Sequence, residues 1–380
     1  MNLFLSNLLA IFILGGLSLV ASWFHPLPKC SKGLFWFGLA VITIGIVGLL
    51  VVVVSPPGRE PTIPEPNWVR PDLPPSTNLV TILSADWDAA AYADWPVAEL
   101  MGEISEAAYL APVEAEAKLQ SLGFTNVDSI KVASMLGYVL KKDDIAVIVF
   151  RGTDDVPDWI ANLKTFPTRT SDGRVHRGFY KAYQSLSGQV KQLLRTHDTN
   201  CKTWITGHSL GGALAVLCAY DLIENENREV TGLITFGQPM VARKDFAQHL
   251  NDILNRKYAH FVNDADVVPR IPPSYRHCGS LVWYTEGMIR RSESQERSFG
   301  ASADDRKVAA TDREEDEEIE PLSEREFREL QRNLKAAETV PEVTPDGAPM
   351  VGGSSPLIED HAMALYLEKI LFFLNRDASN

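Results

Sequence analysis

The chain has 380 residues, 45% of them hydrophobic and 22% charged, enough for one large globular domain with apolar segments to spare. Its formal net charge of −13 excludes the broadly basic face that general nucleic-acid binding needs. The acidity is concentrated, because residues 286–346 hold 18 acids and 10 bases, a balance of −8 that leaves −5 for the rest.

Residues 3–24 and 33–54 carry no charge. Each is about the 20 residues that a helix needs to cross a bilayer. A cleaved signal peptide is the alternative for the first, but that segment lacks the positively charged start of such peptides, and a second apolar segment follows at once. Residues 1–55 are therefore expected to form two transmembrane helices. Lys29 and Lys32 lie in the loop between them, and the positive-inside rule puts such a loop in the cytoplasm. The amino terminus and the globular domain would then both lie on the extracytoplasmic side, although Arg59 and Arg70 give a counter-signal.

Residues 56–85 are expected to be a stiff linker, with eight prolines between Pro56 and Pro75. From 86 to 285 apolar segments of strand and helix type alternate. Residues 97–110, 178–197, 210–223 and 243–254 have helical spacing, while 130–140, 145–150, 203–206, 230–236 and 258–262 are strand-like. Such alternation predicts an α/β domain with a mainly parallel sheet covered by helices on both faces. Cys30, Cys201, Cys218 and Cys278 show no metal-like spacing. Buried reduced thiols are expected, with a Cys201–Cys278 bridge as the alternative.

Residues 286–357 break the pattern. The run Glu314-Glu-Asp-Glu-Glu318 and the Pro, Gly and Ser content after Val340 predict an acidic, largely disordered insertion, a candidate for binding a protein partner. Within it Ser323-Glu-Arg-Glu326 forms a capping box, and Phe327, Leu330 and Leu334 follow at helical spacing. One short amphipathic helix is expected there. Residues 358–380 return to an ordered helix preceded by Asp360-His361.

Chemistry is carried first by Gly207-His208-Ser209-Leu210-Gly211, set between a strand and a helix. This is a nucleophile elbow, in which small neighbours allow the tight turn that lifts the Ser209 hydroxyl and aims the Leu210 amide at an oxyanion. A serine hydroxyl needs a base. In α/β-hydrolases the chain order is serine, acid, histidine, which excludes His25, His176, His197 and His208. Of the rest, His249 falls in a helix and His260 in a strand, places that suit structural histidines. His361, at a loop–helix junction, is the expected base, with His277 in reserve. Asp264 and Asp266 are both candidates for the acid, and their spacing does not separate them.

Several motifs in order resemble the class 3 lipases, the group that includes the filamentous-fungal triacylglycerol lipases. They are Ile148-Val-Phe-Arg-Gly-Thr153, Asp158-Trp-Ile-Ala-Asn162, Val175-His-Arg-Gly-Phe-Tyr180, the elbow, Thr235-Phe-Gly-Gln-Pro239, Asp264-Ala-Asp266-Val-Val-Pro269 and Asp360-His361. The resemblance spans roughly 210 of the 380 residues. It implies an α/β-hydrolase fold with Ser209 as nucleophile, Asp266 as acid and His361 as base, and it places Thr153 beside Leu210 in the oxyanion hole. It also implies hydrolysis of lipid esters (acylglycerols or phospholipids) without metal or cofactor. A short lid helix follows the oxyanion loop in fungal relatives; here that region is the short, acidic segment 154–162. The 95 residues from Asp266 to His361 also exceed the family's usual spacing. A thioesterase or amidase with the same triad, and a non-catalytic membrane scaffold, are the competing functions.

Overall fold

The computed structural model describes residues 79–85, 87–89, 95–196, 201–285, 288–292, 319–339 and 358–378. Both apolar stretches expected to form a membrane hairpin lie outside these residues, as do the prolines of the linker. Among the described residues no helix is long and apolar enough to cross a membrane.

One eight-stranded sheet organises the domain. Its strands are β1 (Asn126–Val132), β2 (Met135–Lys142), β3 (Ile145–Phe150), β6 (Lys202–His208), β7 (Gly232–Phe236), β8 (Tyr258–Asn263), β9 (Ser280–Thr285) and β10 (Met288–Ser292), hydrogen-bonded in that order. From β3 through β6, β7 and β8 to β9 every pairing is parallel, while β1–β2–β3 and β9–β10 are antiparallel. The short strands β4 (Pro167–Arg169) and β5 (Arg174–His176) pair separately.

Strand β3 shows why the parallel region reads as continuous apolar sequence. All six of its residues are buried, and they alternate between two cores. Ala146, Ile148 and Phe150 face α5 (Arg177–Thr196), α6 (Leu210–Glu224) and α7 (Lys244–Leu254). Ile145, Val147 and Val149 face α2 (Trp95–Ala107), α3 (Pro112–Ser121) and α9 (Met363–Ala378). The α/β architecture is thus the one expected.

Three local expectations change. Residues 130–140 are not one strand but a hairpin that reverses at Ala133-Ser134, where Ala133 adopts a φ of 53° with no glycine or asparagine to announce it. Inside the stretch expected as linker, Leu79–Ser84 forms helix α1, because Leu79 and Leu83, four residues apart, bury one face in the core. The Leu83 carbonyl accepts from Trp204 Nε1 at 3.1 Å. Past the expected boundary at 285, β10 adds a further strand to the sheet. Cys201, Cys218 and Cys278 are buried free thiols, so no Cys201–Cys278 bridge forms.

The helix expected in the insertion is α8 (Glu324–Thr339). Its capping box is closed from both sides: Ser323 N donates to Glu326 Oε2 at 2.8 Å, and Glu326 N donates to Ser323 Oγ at 3.2 Å. Phe327, Leu330 and Leu334 are buried against Ile160 and Ala161 of α4 (Val156–Asn162) and against Val268 and Ile271. Gln331 Nε2 donates to the carbonyls of Ile160 and Leu163 at the end of α4, both at 2.9 Å.

Candidate active site

The elbow forms where β6 ends and α6 begins. Ser209 has φ 58° and ψ −132°, a conformation that costs a non-glycine residue about 1–3 kcal/mol and persists only where the surroundings impose it. Here the strand and helix on either side impose it, together with a 2.9 Å hydrogen bond from Ser209 N to Phe236 O at the end of β7. The close approach of the turn explains its small residues. A Cβ on Gly207 would lie 2.5 Å from the carbonyl oxygen of Gly211. Leu210 is the first residue of α6, so its amide stands at the positive end of the helix dipole.

The loop after β3 closes on this turn. A Cβ on Gly152 would come within 3.0 Å of Ser209 Cβ and 2.8 Å of His208 O. Thr153, the next residue, is therefore carried to the elbow's side. Its hydroxyl is engaged in its own turn, accepting from Asp155 N at 3.3 Å, which leaves the backbone as the group it can offer a substrate.

The structure separates the two candidate acids. Asp266 is 1% exposed, and its Oδ2 lies 2.7 Å from His361 Nδ1. The same oxygen accepts from Tyr366 Oη at 2.6 Å, while Oδ1 accepts from Val268 N at 2.9 Å. Asp264 sits instead in the turn at φ 41°, its amide donating to Tyr284 O at 2.7 Å. Because a carboxylate only accepts, His361 carries its proton on Nδ1 and presents the bare Nε2 lone pair.

The turn bearing His361 is fastened to the acid loop. Asn263 Nδ2 donates to Asp360 O at 2.9 Å, and Ala265 N donates to Asp360 Oδ2 at 3.2 Å. Partial burial raises the Asp360 carboxyl above its ordinary pKa, with Asp264 and Asp266 adding to the shift. Among the described residues, Ser209 Oγ and His361 Nε2 are buried side-chain atoms that make no hydrogen bond. A nucleophile and a base leave these atoms uncommitted, and such contacts often tighten only when substrate binds. Ser209 itself is 0% exposed and His361 2%, so the site is closed.

The remaining histidines have other partners. His277, the reserve base, donates from Nε2 to Pro269 O at 2.7 Å and stacks on His260 at 4.4 Å, away from any carboxylate. His249 Nε2 lies 3.1 Å from Glu224 Oε1; with Asp172 these residues form the one group among the described residues that has metal-ligand spacing. His208, set aside as a base, proves to be part of the site. Its Nδ1 lies 2.9 Å from Tyr109 Oη and its Nε2 2.7 Å from His361 O. Burial, with His361 nearby, keeps its pKa well below the ordinary value, so the ring is neutral. Tyr109, Asn263 and Tyr366 were missed. Tyr366 lies in a helix whose apolar pattern signals only core, and no local motif marks the other two.

Residues 147–276 match the family model for lipase (class 3). Over that segment the chain is similar to the class 3 lipases. The matched segment holds Thr153, Ser209, Leu210 and Asp266, whereas His361 lies beyond it and is brought in by the fold. A lipase of Rhizomucor miehei is 34% identical over 151 residues, which cover 37% of this chain and 41% of that one. Secreted mono- and diacylglycerol lipase 1 of Fusarium solani is 32% identical over 153 residues, covering 38% and 45%. The chloroplastic phospholipase A1-Igamma2 of Arabidopsis thaliana is 30% identical over 187 residues, covering 37% and 35%. The chain thus spans less than half the length of these relatives. Among solved structures, a triacylglyceride lipase of Rhizomucor miehei superposes with a TM-score of 0.45 at 28% identity, over 52% of this chain and 85% of that one.

Proposed function

We propose that the protein is a serine hydrolase that cleaves the carboxylic esters of lipids. The observation that carries this reading is the buried Asp266–His361 pair at 2.7 Å, with the His361 turn held against the strained elbow of Ser209. His361 Nε2 takes the Ser209 proton as Oγ attacks the ester carbonyl, and Asp266 holds the tautomer and stabilises the imidazolium. The amides of Leu210 and Thr153 stabilise the oxyanion; one such donor is typically worth on the order of 10²–10³ in rate. His361 then protonates the departing alcohol. Water, activated by the same base, releases the acid from the acyl-enzyme.

Lipid substrates are supported by the names of the relatives, which include a triacylglyceride lipase, a mono- and diacylglycerol lipase and a phospholipase A1. A membrane anchor fits the same reading: residues 3–24 and 33–54 are uncharged and of spanning length, and they would keep the domain beside its substrate on the extracytoplasmic face. Since Ser209 is fully buried, substrate entry requires movement.

The test is hydrolysis of a chain-length series of p-nitrophenyl esters by the full-length protein in detergent. Turnover that falls at least 10³-fold in Ser209→Ala is expected, as for triad nucleophiles in general. Absence of turnover at every chain length would remove the reading.

A further inference from the structure

The reaction proposed above needs three segments in register: the loop of Thr153, the elbow of Ser209 and the turn of His361. One pair of side chains touches all three. Tyr109, half-buried just beyond α2, rests its hydroxyl on the oxyanion loop; a Cβ on Gly152 would lie 2.1 Å from that oxygen. The same oxygen lies 2.9 Å from Nδ1 of His208, the residue before the nucleophile. On the far side of that ring, Nε2 is 2.7 Å from the His361 carbonyl oxygen.

The directions of these bonds follow from chemistry alone. A carbonyl only accepts, so His208 carries its hydrogen on Nε2. Nδ1 is then bare, and the Tyr109 hydroxyl must donate to it. A single chain results, running from the Tyr109 hydroxyl, packed against Gly152, through the His208 imidazole to the His361 carbonyl. The His208 and His361 rings also pack at 4.5 Å between centroids.

We infer that Tyr109 and His208 are positioning residues, which lock the oxyanion loop and the turn of the catalytic base onto the elbow. Neither hydrogen-bonds to Ser209 Oγ or His361 Nε2. Their effect is geometric, and small displacements of such groups carry large rate penalties. A plain core pair would do no more than satisfy its own polar atoms. This role rests on the hydrolase reading, so the test begins with turnover by the unmodified full-length protein.

Tyr109→Phe keeps the ring and removes the hydroxyl that lies between Gly152 and His208. Roughly a tenfold fall in kcat on a short p-nitrophenyl ester is expected, with KM within about threefold, because the interaction helps the transition state rather than binding. A kcat within about twofold of the unmodified protein, or a loss confined to KM, would overturn the role. His208→Gln and His208→Leu provide the second arm. Glutamine keeps a donor that reaches the His361 carbonyl, so it should retain at least about tenfold more kcat than leucine at comparable thermal stability. Equal activity of the two would overturn the role for His208. If the unmodified protein turns over no ester, the hydrolase reading fails; if it turns over and Tyr109→Phe matches it, only the positioning role fails.

Discussion

Tyr366 Oη and His361 Nδ1 converge on one oxygen, Oδ2 of Asp266, at 2.6 and 2.7 Å. Burial raises the Tyr366 phenol far above its ordinary pKa, and the negative charge of Asp266 adds to this, so the hydroxyl remains a donor. With Val268 N on the other oxygen, the carboxylate accepts from three donors. Tyr366→Phe should therefore cost about 1–3 kcal/mol of stability, the usual penalty for leaving a buried charged acceptor short of a partner. Urea unfolding measures this, and unchanged stability would show that Tyr366 merely fills space.

The two neighbouring aspartates should behave differently. Asp266→Asn removes the charge that faces the His361 imidazolium and permits the wrong tautomer; a fall in kcat on the order of 10⁴ accompanies the same change in other triads. Asp264→Asn alters a residue in the turn whose side chain makes no hydrogen bond to His361. Its kcat should stay within about threefold of the unmodified enzyme. Comparable losses in the two variants would contradict the assignment.

Acid should destabilise the fold through histidines that are buried neutral. Burial lowers the His176 pKa to about 4; its Nε2 donates to the Lys164 carbonyl and its Nδ1 accepts from Phe179 N at 3.3 Å. Unfolded, the ring titrates near about 6.5. Above that pH it is neutral in both states and its contribution is complete. As the pH falls from 6.5 towards 4, the unfolded chain binds a proton that the folded one refuses, and up to about 3 kcal/mol is lost. Denaturant unfolding at pH 7.5 and pH 4.5 should show a smaller difference for His176→Gln than for the unmodified protein. An unaltered difference would mean that His176 does not drive the acid sensitivity.

Helix α8 should detach before the domain unfolds. Its hold on the body comes from Phe327, Leu330 and Leu334 and from the two hydrogen bonds of Gln331. Leu330→Ala removes about 2–5 kcal/mol of that contact. Trypsin should then cut faster at the exposed Arg325, Arg328, Arg332 and Lys335. Cleavage at the original rate would show that α8 is held by something else.

Legibility from sequence followed how local each feature is. The elbow and the capping box of Ser323 and Glu326 are short motifs whose residue types dictate their geometry, and both formed as expected. Strand β3 was legible because two-sided burial leaves a continuous apolar run. The hairpin turn at Ala133-Ser134 was not, since alanine at φ 53° carries no turn signature and only pairing with β2 imposes it. The choice between Asp264 and Asp266 depended on which side chain a helix about a hundred residues later would meet, as the Tyr366–Asp266 bond shows. Tyr109 and His208 are paired across a similar distance in sequence, 99 residues, by the packing of α2 on β6.

The central claim is that Ser209 is a nucleophile activated by His361, and covalent trapping tests it most directly. The full-length protein in detergent is treated with a fluorophosphonate ester, and the modified residue is located by peptide mass spectrometry. One adduct, on Ser209, is expected, absent from Ser209→Ala and formed far more slowly in His361→Ala. No adduct on the unmodified protein, or one on any other residue, would contradict the claim.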